Sequence, residues 1–300
     1  MPFRLSRPCW KMLLSPVILS VVSVCQTPTQ ASCTYTFFPT VFFTPPLSRY
    51  SVFSPFGIND SRTVVGGAFQ TGFVRWGNGG FTFPKGTSSL SDRNDKGISI
   101  GYDGNNSPII LSGTSVTSAA VAIGAKIFTG PGVVVSRIND FGSIVGWYGD
   151  NSGVAHGYKR WTNGHGFKLD FPAHFQGINS GTFPTGINDL GMVVGFTQIP
   201  YHAFVYYNGA WTTLQYPKAI ATMLWGVSNA GIMIGSAELA DGSSIGFLYK
   251  NGKFEKVVPP GTLGPGVGSN VTAISLRKGL ILGFADLRNS PRQGYIATCK

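Results

Sequence analysis

The feature that most restricts the fold of this chain is a ten-residue turn-and-strand motif, complete at 186–195 as Gly-Ile-Asn-Asp-Leu-Gly-Met-Val-Val-Gly. Asn and Asp side chains accept hydrogen bonds from backbone N–H groups two residues further on, and the glycine after them adopts positive φ without a steric penalty. The apolar run that follows, bounded by glycines, is typical of a short buried strand. The motif therefore predicts that the chain reverses at Asn188-Asp189 and then enters a sheet.

Copies of this motif recur along most of the chain. The six units start near Gly57, Asp92, Arg137, Gly186, Gly226 and Ala273. Most of them continue with a strand that begins with a small residue and an aromatic, a glycine turn, usually Asn-Gly, and a third strand that ends in proline. We expect a fourth strand in the connecting segment, and the second unit lacks the aromatic-to-proline pattern. Intervals of 35 to 49 residues between the closing glycines match propeller blades, so we predict an all-β, six-bladed β-propeller of four-stranded blades.

The two ends of the chain complete each other's strand pattern. The sixth unit stops at Cys299, where most other units have the glycine turn, and the missing third strand follows Cys33. We predict that residues 33–56 complete the last blade, that the N- and C-terminal strands pair to close the ring, and that Cys33 and Cys299 form a disulfide. Two unpaired thiols are the alternative for the cysteines, and two successive β-sandwiches are the main alternative for the fold.

The N-terminus has the pattern of a secretory signal peptide. Three bases, Arg4, Arg7 and Lys11, precede an apolar run that is too short for a comfortable membrane span. Cleavage after Ala31 would leave a single propeller domain at 32–300, in an extracellular or periplasmic location of a bacterium. A lipid anchor on Cys25 is the alternative, and no later run predicts a transmembrane helix.

The charge of the processed chain favours anionic partners. Residues 32–300 carry 20 Lys and Arg against 12 Asp and Glu, a net charge of +8. Such a surface attracts anionic polymers weakly and in a salt-dependent way. No dense basic cluster indicates a specific nucleic-acid site.

The combined motif resembles a known family. Gly-Ile-Asn-Asp-x-Gly-x-Val-Val-Gly, followed by His-Ala-Phe or His-Gly-Tyr and then Asn-Gly, is similar to the HAF-type extracellular repeat of bacteria, which is named for that triplet. The triplet is literal at His202-Ala203-Phe204 and close at His156-Gly157-Tyr158, and the resemblance covers about residues 56–298. It implies export and a repeat fold, but it supplies no catalytic residue.

The sequence contains no recognisable catalytic constellation. Phosphate-binding, dinucleotide-binding, Cys-x-x-Cys and hydrolase-elbow motifs are all absent from it. His156, His165 and His174 fall in different parts of one unit, and the loops at Asp103 and Asp150 lack the distal carboxylate of a calcium loop. We therefore predict no catalytic residue, no cofactor and no metal site.

Aromatic residues near strand ends and loops are the best candidates for ligand contact. Rings beside polar side chains can stack on sugars, although packing between sheets is the alternative for them. The candidate ligand-binding residues are Trp147, Tyr148, Trp161, Tyr201, His202 and Trp225.

These observations predict a secreted, non-catalytic binding or surface-interaction module for a glycan or an anionic polymer. A propeller glycan hydrolase or lyase and a structural envelope or matrix protein are the alternatives. Repeated equivalent pockets between blades would favour a lectin. One deep pocket with converging His, Asp and Glu side chains would favour an enzyme.

Overall fold

A computed structural model of the 300-residue chain describes residues 21–23, 27–39, 41–42, 51–52, 54–68, 70–130, 132–172, 181–198, 201–262, 269–287 and 290–300. All regular elements in these ranges are β-strands. In this part of the chain, no helix is long and apolar enough to cross a membrane.

Five short strands precede the first blade. They are β1 (Val21–Ser23), β2 (Thr29–Gln30), β3 (Cys33–Pro39), β4 (Val41–Phe42) and β5 (Ser51–Val52). Strands β4 and β5 pair with each other, and the other three join blades that are formed later in the chain.

Six sheets, which we call blades one to six, follow in chain order. Blade one contains β6 (Ser54–Ile58), β7 (Val64–Ala68), β8 (Thr71–Arg75) and β9 (Phe81–Thr82). Blade two contains β10 (Ser89–Arg93), β11 (Ile98–Tyr102), β12 (Pro108–Ser112) and β13 (Ser115–Ser118). A hairpin of β14 (Val121–Ile123) and β15 (Lys126–Phe128) comes next. Blade three contains β16 (Val133–Ile138), β17 (Ile144–Gly149), β18 (Ala155–Arg160) and β19 (His165–Lys168).

The last three blades repeat the same plan. Blade four contains β20 (Thr182–Ile187), β21 (Val193–Thr197), β22 (Ala203–Tyr207) and β23 (Ala210–Gln215). Blade five contains β24 (Ala219–Val227), β25 (Met233–Leu239), β26 (Ser244–Lys250) and β27 (Lys253–Lys256). Blade six contains β28 (Ser269–Ile274), β29 (Ile281–Leu287), β30 (Ser290–Cys299) and, as its fourth strand, β3.

The closure of the ring agrees with the prediction. Strand β3 pairs antiparallel with β30, and Cys33 lies opposite Cys299. The two residues form a disulfide across a sequence separation of 266 residues. The predictions of six four-stranded blades, of paired terminal strands and of this disulfide are confirmed.

The blades are offset by one strand from the sequence units. The strand before each Asn-Asp turn pairs with the strand after it, as β20 does with β21, because the turn forms a hairpin within one sheet. The segment expected to be the fourth strand of one unit is therefore the first strand of the next blade. Residues 33–56 divide accordingly: β3 belongs to blade six, whereas β6 belongs to blade one. The divergent second unit still forms four strands.

Additional strands cover the outer edges of three blades. Strand β14 pairs parallel with β19 of blade three, β1 with β23 of blade four, and β2 with β27 of blade five. Ala31 is buried after β2, and its N–H donates to the Lys256 carbonyl at 2.9 Å. Since β1, β2 and Ala31 lie in the predicted signal segment, cleavage after Ala31 would remove these contacts.

The closing glycine of the motif has a packing role inside each blade. In blade four, Gly195 lies opposite Phe204 of the third strand. A Cβ on Gly195 would lie 2.7 Å from the Phe204 ring and would collide with the Phe183 carbonyl. Five blades have this pairing of glycine with a fully buried Phe or Tyr, which accounts for the small-aromatic pattern of the repeat.

The Asn and Asp of each turn have different roles. Asn188 Oδ1 accepts the Met192 N–H at 3.0 Å within its own turn, whereas its Nδ2 donates to the Ser228 carbonyl of the next blade at 3.0 Å. Asp189 Oδ1 accepts the Asp140 N–H of the preceding blade at 2.8 Å. The turn prediction is therefore correct for the asparagines, but the aspartates join neighbouring blades.

These contacts form a hydrogen-bonded belt around one end of the axis. The belt consists of Asn59-Asp60, Asn94-Asp95, Asn139-Asp140, Asn188-Asp189, Ser228-Asn229 and Leu276-Arg277. It closes where the Asp60 carboxylate accepts the N–H groups of Arg277 and Lys278. The belt fixes the inner ends of all six blades.

Candidate ligand-binding site

A central cavity of about 610 Å³ lies on the axis. It is between the belt and the face of the propeller at which the first strands begin. Each blade contributes the residue three positions before the Asn or Ser of its turn. These residues, which we call the cavity ring, are Phe56, Ser91, Ser136, Thr185, Trp225 and Thr272. The volume is in the range of small-molecule sites.

The cavity ring exists because every first strand has a β-bulge at the same place. The pairing register shifts between Val135 and Arg137 in blade three, and equivalent shifts occur in the other five blades. The extra residue is the ring residue in each case. A bulge re-aims one side chain out of the alternation of the strand, here towards the axis.

The residues that follow the ring lie at the belt end of the cavity, and Arg137 is the one among them that lines it. They are Gly57, Asp92, Arg137, Gly186, Gly226 and Ala273, the same positions at which the sequence units start. A Cβ on Gly186 would lie 2.8 Å from the Gly226 Cα, so the chains approach closely here. The four small residues leave the axis to the Arg137 side chain.

Arg137 closes the cavity at the belt end. Its guanidinium donates to the carbonyls of Ser136 at 2.9 Å and Ser91 at 3.4 Å, and it also donates to Thr272 in the opposite blade. Arg137 borders both the cavity and a separate small pocket on the belt side. The floor is therefore a cation that is held by backbone carbonyls.

Asp92 provides the counter-charge beneath this floor. It is 6% exposed, and its Oδ2 accepts the Ile138 N–H at 3.0 Å. Burial raises the pKa of Asp92, while the charge of Arg137 and the hydrogen bond from Ile138 oppose that rise. Burial also lowers the pKa of Arg137, and Asp92 opposes that change.

The cavity wall combines aromatic rings with hydroxyl and amide groups. Tyr102, Asn270 and Phe284 add to the ring residues. The Tyr102 hydroxyl accepts the Val135 N–H at 3.0 Å, and burial raises the pKa of this phenol. Among the described residues of the wall there is no carboxylate, imidazole or thiol. The wall therefore offers hydrogen bonds and stacking surfaces, with a cation below, but no acid or base.

A second cavity of about 660 Å³, which we call the cleft, lies between blades three, four and five. Its lining includes Trp147, Phe183, Phe196, Tyr201 and Glu238. Gly153 and Gln198, from the loops between second and third strands, also border it. The cleft is therefore on the face opposite the belt.

Three of the predicted contact residues are in these two cavities. Trp225 lines the central cavity, and its Nε1–H donates to Ser236 Oγ at 2.9 Å. Trp147 and Tyr201 line the cleft, and Tyr201 is 38% exposed. His202 follows Tyr201, but only its carbonyl has a defined role, accepting the Thr197 N–H at 2.9 Å.

Two predicted contact residues lie elsewhere. Tyr148 is 7% exposed and stacks on Phe128 with 4.0 Å between ring centroids, which is the packing alternative considered above. Trp161 is 43% exposed, but it follows the end of β18 that is distant from the cleft and packs against Phe167. Neither residue lines the central cavity or the cleft.

His156 is held between two aspartates, whereas His165 is exposed. His156 Nδ1 lies 2.8 Å from Asp170 Oδ2, and its Nε2 lies 3.2 Å from Asp150 Oδ2. Asp150 Oδ1 also accepts two N–H groups of its own turn, which lower its pKa together with the contact to His156. No group of His, Cys, Asp and Glu in the described residues has a metal-binding arrangement. His174 lies outside the described residues.

Sequence reasoning missed most of the cavity, although the repeat contains a signal for it. The ring residues occupy one column of the aligned units, three positions before the turn. In the next column, four units have Gly or Ala, whereas two have Asp92 and Arg137. A charged pair in a column of small residues marks the floor.

The fold and this cavity define a six-bladed β-propeller with an axial pocket that is open on one face. No protein-family model matches the sequence, and no curated protein matches it either. Among solved structures, the gluconolactonase XC5397 from Xanthomonas campestris superposes with a TM-score of 0.51 and 11% identity, covering 93% of this chain and 99% of that one.

Two further similar structures have lower scores. The streptogramin B lyase has a TM-score of 0.47 and 11% identity, covering 89% of this chain and 98% of that one. The BP39L lectin from Burkholderia pseudomallei has a TM-score of 0.41 and 9% identity, covering 91% and 82%. At these identities the similarity is one of fold alone.

Proposed function

We propose that this protein is an exported bacterial repeat protein of the HAF type that binds an acidic glycan in its central cavity without transforming it. The observation that carries this proposal is the cavity ring, in which four hydroxyl side chains and two aromatic rings surround the axis above Arg137. All six blades contribute one side chain each, so the ring gives a single axial site.

The chemistry of the ring suits a sugar. Ser and Thr hydroxyls both donate and accept hydrogen bonds, as sugar hydroxyls do. Phe56 and Trp225 offer apolar faces on which the C–H side of a pyranose can stack. The hydrogen bond from Trp225 to Ser236 holds the indole in place, which reduces the entropy lost when a ligand binds.

Arg137 favours an acidic sugar over a neutral one. A guanidinium recognises carboxylates through charge-assisted hydrogen bonds. Because the site is enclosed on the belt side, this charge is less screened than a surface charge would be. The positive net charge of the chain would also attract an anionic polymer to the protein.

The composition of the central-cavity wall disfavours a glycan hydrolase or lyase. Most glycoside hydrolases use two carboxyl groups that flank the scissile bond, and none is present among the described wall residues. Asp92 lies beneath the floor and is almost completely buried. A purely structural role would not require a cavity lined with hydroxyl groups.

A glycan array tests the proposal. The exported protein, purified from the culture medium or periplasm, should bind glycans with uronic acid units in preference to neutral glycans of equal length. Added salt should weaken this binding. Absence of binding to every glycan on the array would overturn the proposed function.

A further inference from the structure

We infer that the cleft is a second subsite for the same ligand, and that the ligand is an oligosaccharide chain with a uronate in the central cavity and an uncharged sugar in the cleft. This inference rests on the proposed function. The ligand of the proposed function thereby becomes a chain rather than one sugar unit, and each of its two positions has an assigned charge.

The cleft and the central cavity share a wall. On β20, Phe183 faces the cleft while Thr185 faces the cavity. On β24, Met223 faces the cleft while Trp225 faces the cavity. On each strand the two residues are only two positions apart, and the bulge at Thr185 and at Trp225 turns the second residue towards the axis. The two spaces are therefore contiguous along these strands.

A row of aromatic rings connects the two subsites. Trp225 contacts Phe196 edge-on at a centroid distance of 5.5 Å, and Phe196 stacks on Phe183 at 5.2 Å. Phe183 then contacts Trp147 at 5.1 Å, while Tyr201 lies 6.0 Å from Phe196. All five rings border the cavity or the cleft. A sugar chain that leaves the cavity past Trp225 would meet an aromatic surface directly.

The shared wall is held in position by contacts between blades four and five. The Thr185 hydroxyl donates to the Leu224 carbonyl at 2.6 Å, across the boundary between the two blades. The Thr222 N–H donates to the Tyr201 carbonyl at 3.0 Å, which ties the loop of blade four to β24. The two subsites therefore keep a constant spacing, as a chain of fixed repeat requires.

The charges of the two spaces differ. The cavity has Arg137 in its floor, whereas the cleft has the exposed carboxylate of Glu238. A carboxylate in the cleft repels a uronate but accepts hydrogen bonds from neutral hydroxyl or amide groups. The arrangement therefore suits a chain in which acidic and neutral sugars alternate, long enough to reach from the cavity to the cleft, and it disfavours a chain made only of uronates.

Hyaluronan oligosaccharides are a suitable probe because glucuronate alternates in them with neutral N-acetylglucosamine. Calorimetric titration with the di-, tetra- and hexasaccharide should show that affinity rises about tenfold or more once the chain reaches the cleft, since one stacking contact contributes roughly that factor. Chitin oligosaccharides of the same lengths provide the neutral comparison and should bind more weakly at each length.

Two cleft variants and a matched control locate the effect. Trp147→Ala and Tyr201→Ala should keep the disaccharide affinity and lose most of the gain with length. Trp161→Ala, which removes an exposed tryptophan on the other side of blade three, should behave as the wild type does. Tyr201 is an exposed residue, so its variant remains informative if Trp147→Ala fails to fold.

Two results would overturn the inference. One is an affinity that does not change with length. The other is a loss of affinity in the cleft variants that is equal for all lengths. Failure of every hyaluronan oligosaccharide to bind would also reject this ligand class, while the glycan array separately decides whether the proposed function stands.

Discussion

Arg137 of blade three donates a hydrogen bond across the propeller axis to the carbonyl oxygen of Thr272 in blade six. Blades three and six are opposite each other in the ring. The contact is possible because four of the five equivalent positions in the other blades have small residues, which leave room for the arginine side chain. These are Gly57, Gly186, Gly226 and Ala273, and the fifth is Asp92. One arginine thereby turns an axial channel into a pocket with a positive floor.

Replacement of Arg137 by Met should weaken both stability and selectivity. The change leaves the carbonyls of Ser91, Ser136 and Thr272 without this donor and removes the counter-charge of the buried Asp92. The free energy of unfolding should fall by about 2 kcal/mol, as measured by urea denaturation. The preference for acidic over neutral glycans should disappear.

Lys85→Met is the control for the Arg137 variant, because it removes one exposed positive charge outside the cavity. It should leave stability and selectivity unchanged. If both variants lower acidic-glycan binding equally, the overall charge of the protein, rather than the cavity floor, would explain the preference.

The carboxyl groups of Asp60 and Asp95 in the belt should give the stability of the protein an unusual dependence on pH. Burial and the neighbouring Asp60 carboxyl raise the pKa of Asp95 to about 7, whereas hydrogen bonds from Asp95, Lys278 and Arg277 outweigh burial at Asp60 and lower its pKa. Between about pH 5 and 7 the unfolded chain has already lost the Asp95 proton, which the folded chain still holds. Rising pH therefore favours unfolding in this range, and the contribution of Asp60 is constant there.

Asp95→Asn should remove this decline and stabilise the protein at pH 7 to 8. Blade five already has this arrangement, because Asn229 accepts the Asp189 N–H at 2.9 Å and donates to the Asp189 carboxylate at 2.7 Å. Thermal denaturation from pH 5 to 8 checks the prediction, with the surface variant Asp103→Asn as the control. An unchanged pH profile in Asp95→Asn would contradict the assigned proton.

The disulfide should contribute strongly to stability because it closes nearly the whole chain. For a separation of 266 residues, chain-entropy arguments give a loss of about 5 kcal/mol in the Cys33→Ser/Cys299→Ser variant. Chemical denaturation of the variant and of the wild type, with and without reductant, measures this loss. If reductant does not destabilise the wild type, the strand pairing of β3 with β30 alone closes the ring.

The fold could be predicted because its signals are local and repeated. The turn chemistry of Asn188 recurs in four of the six units, and the pairing of Gly195 with Phe204 has equivalents in four other blades, each as a short pattern. The match between the two chain ends predicted that Cys33 lies beside Cys299. The one-strand offset was missed because the first strand of each blade has no regular apolar alternation of its own.

The site could be predicted only in part because it is assembled from all six blades. Trp225 was identified as an exposed aromatic candidate, but Ser91, Ser136 and Thr185 have no individual signal. They face the axis because each is a bulged residue, and a bulge is a property of strand pairing rather than of residue type. Tyr148 was a candidate because it lies near a strand end and a loop, but its ring packs on Phe128.

The measurement that tests the central claim most directly is a titration of a cavity-filling variant. Ser136→Trp places an indole at the cavity-ring position of blade three. The equivalent position in blade five is Trp225, so the fold can accommodate an indole there. Ser61→Trp adds the same indole to an exposed turn position on the belt face, where Phe141 is found in blade three. We predict that Ser136→Trp binds the best glycan of the array at least about tenfold more weakly than wild type, while Ser61→Trp binds it equally well. Wild-type affinity in a correctly folded Ser136→Trp protein would contradict binding in the central cavity.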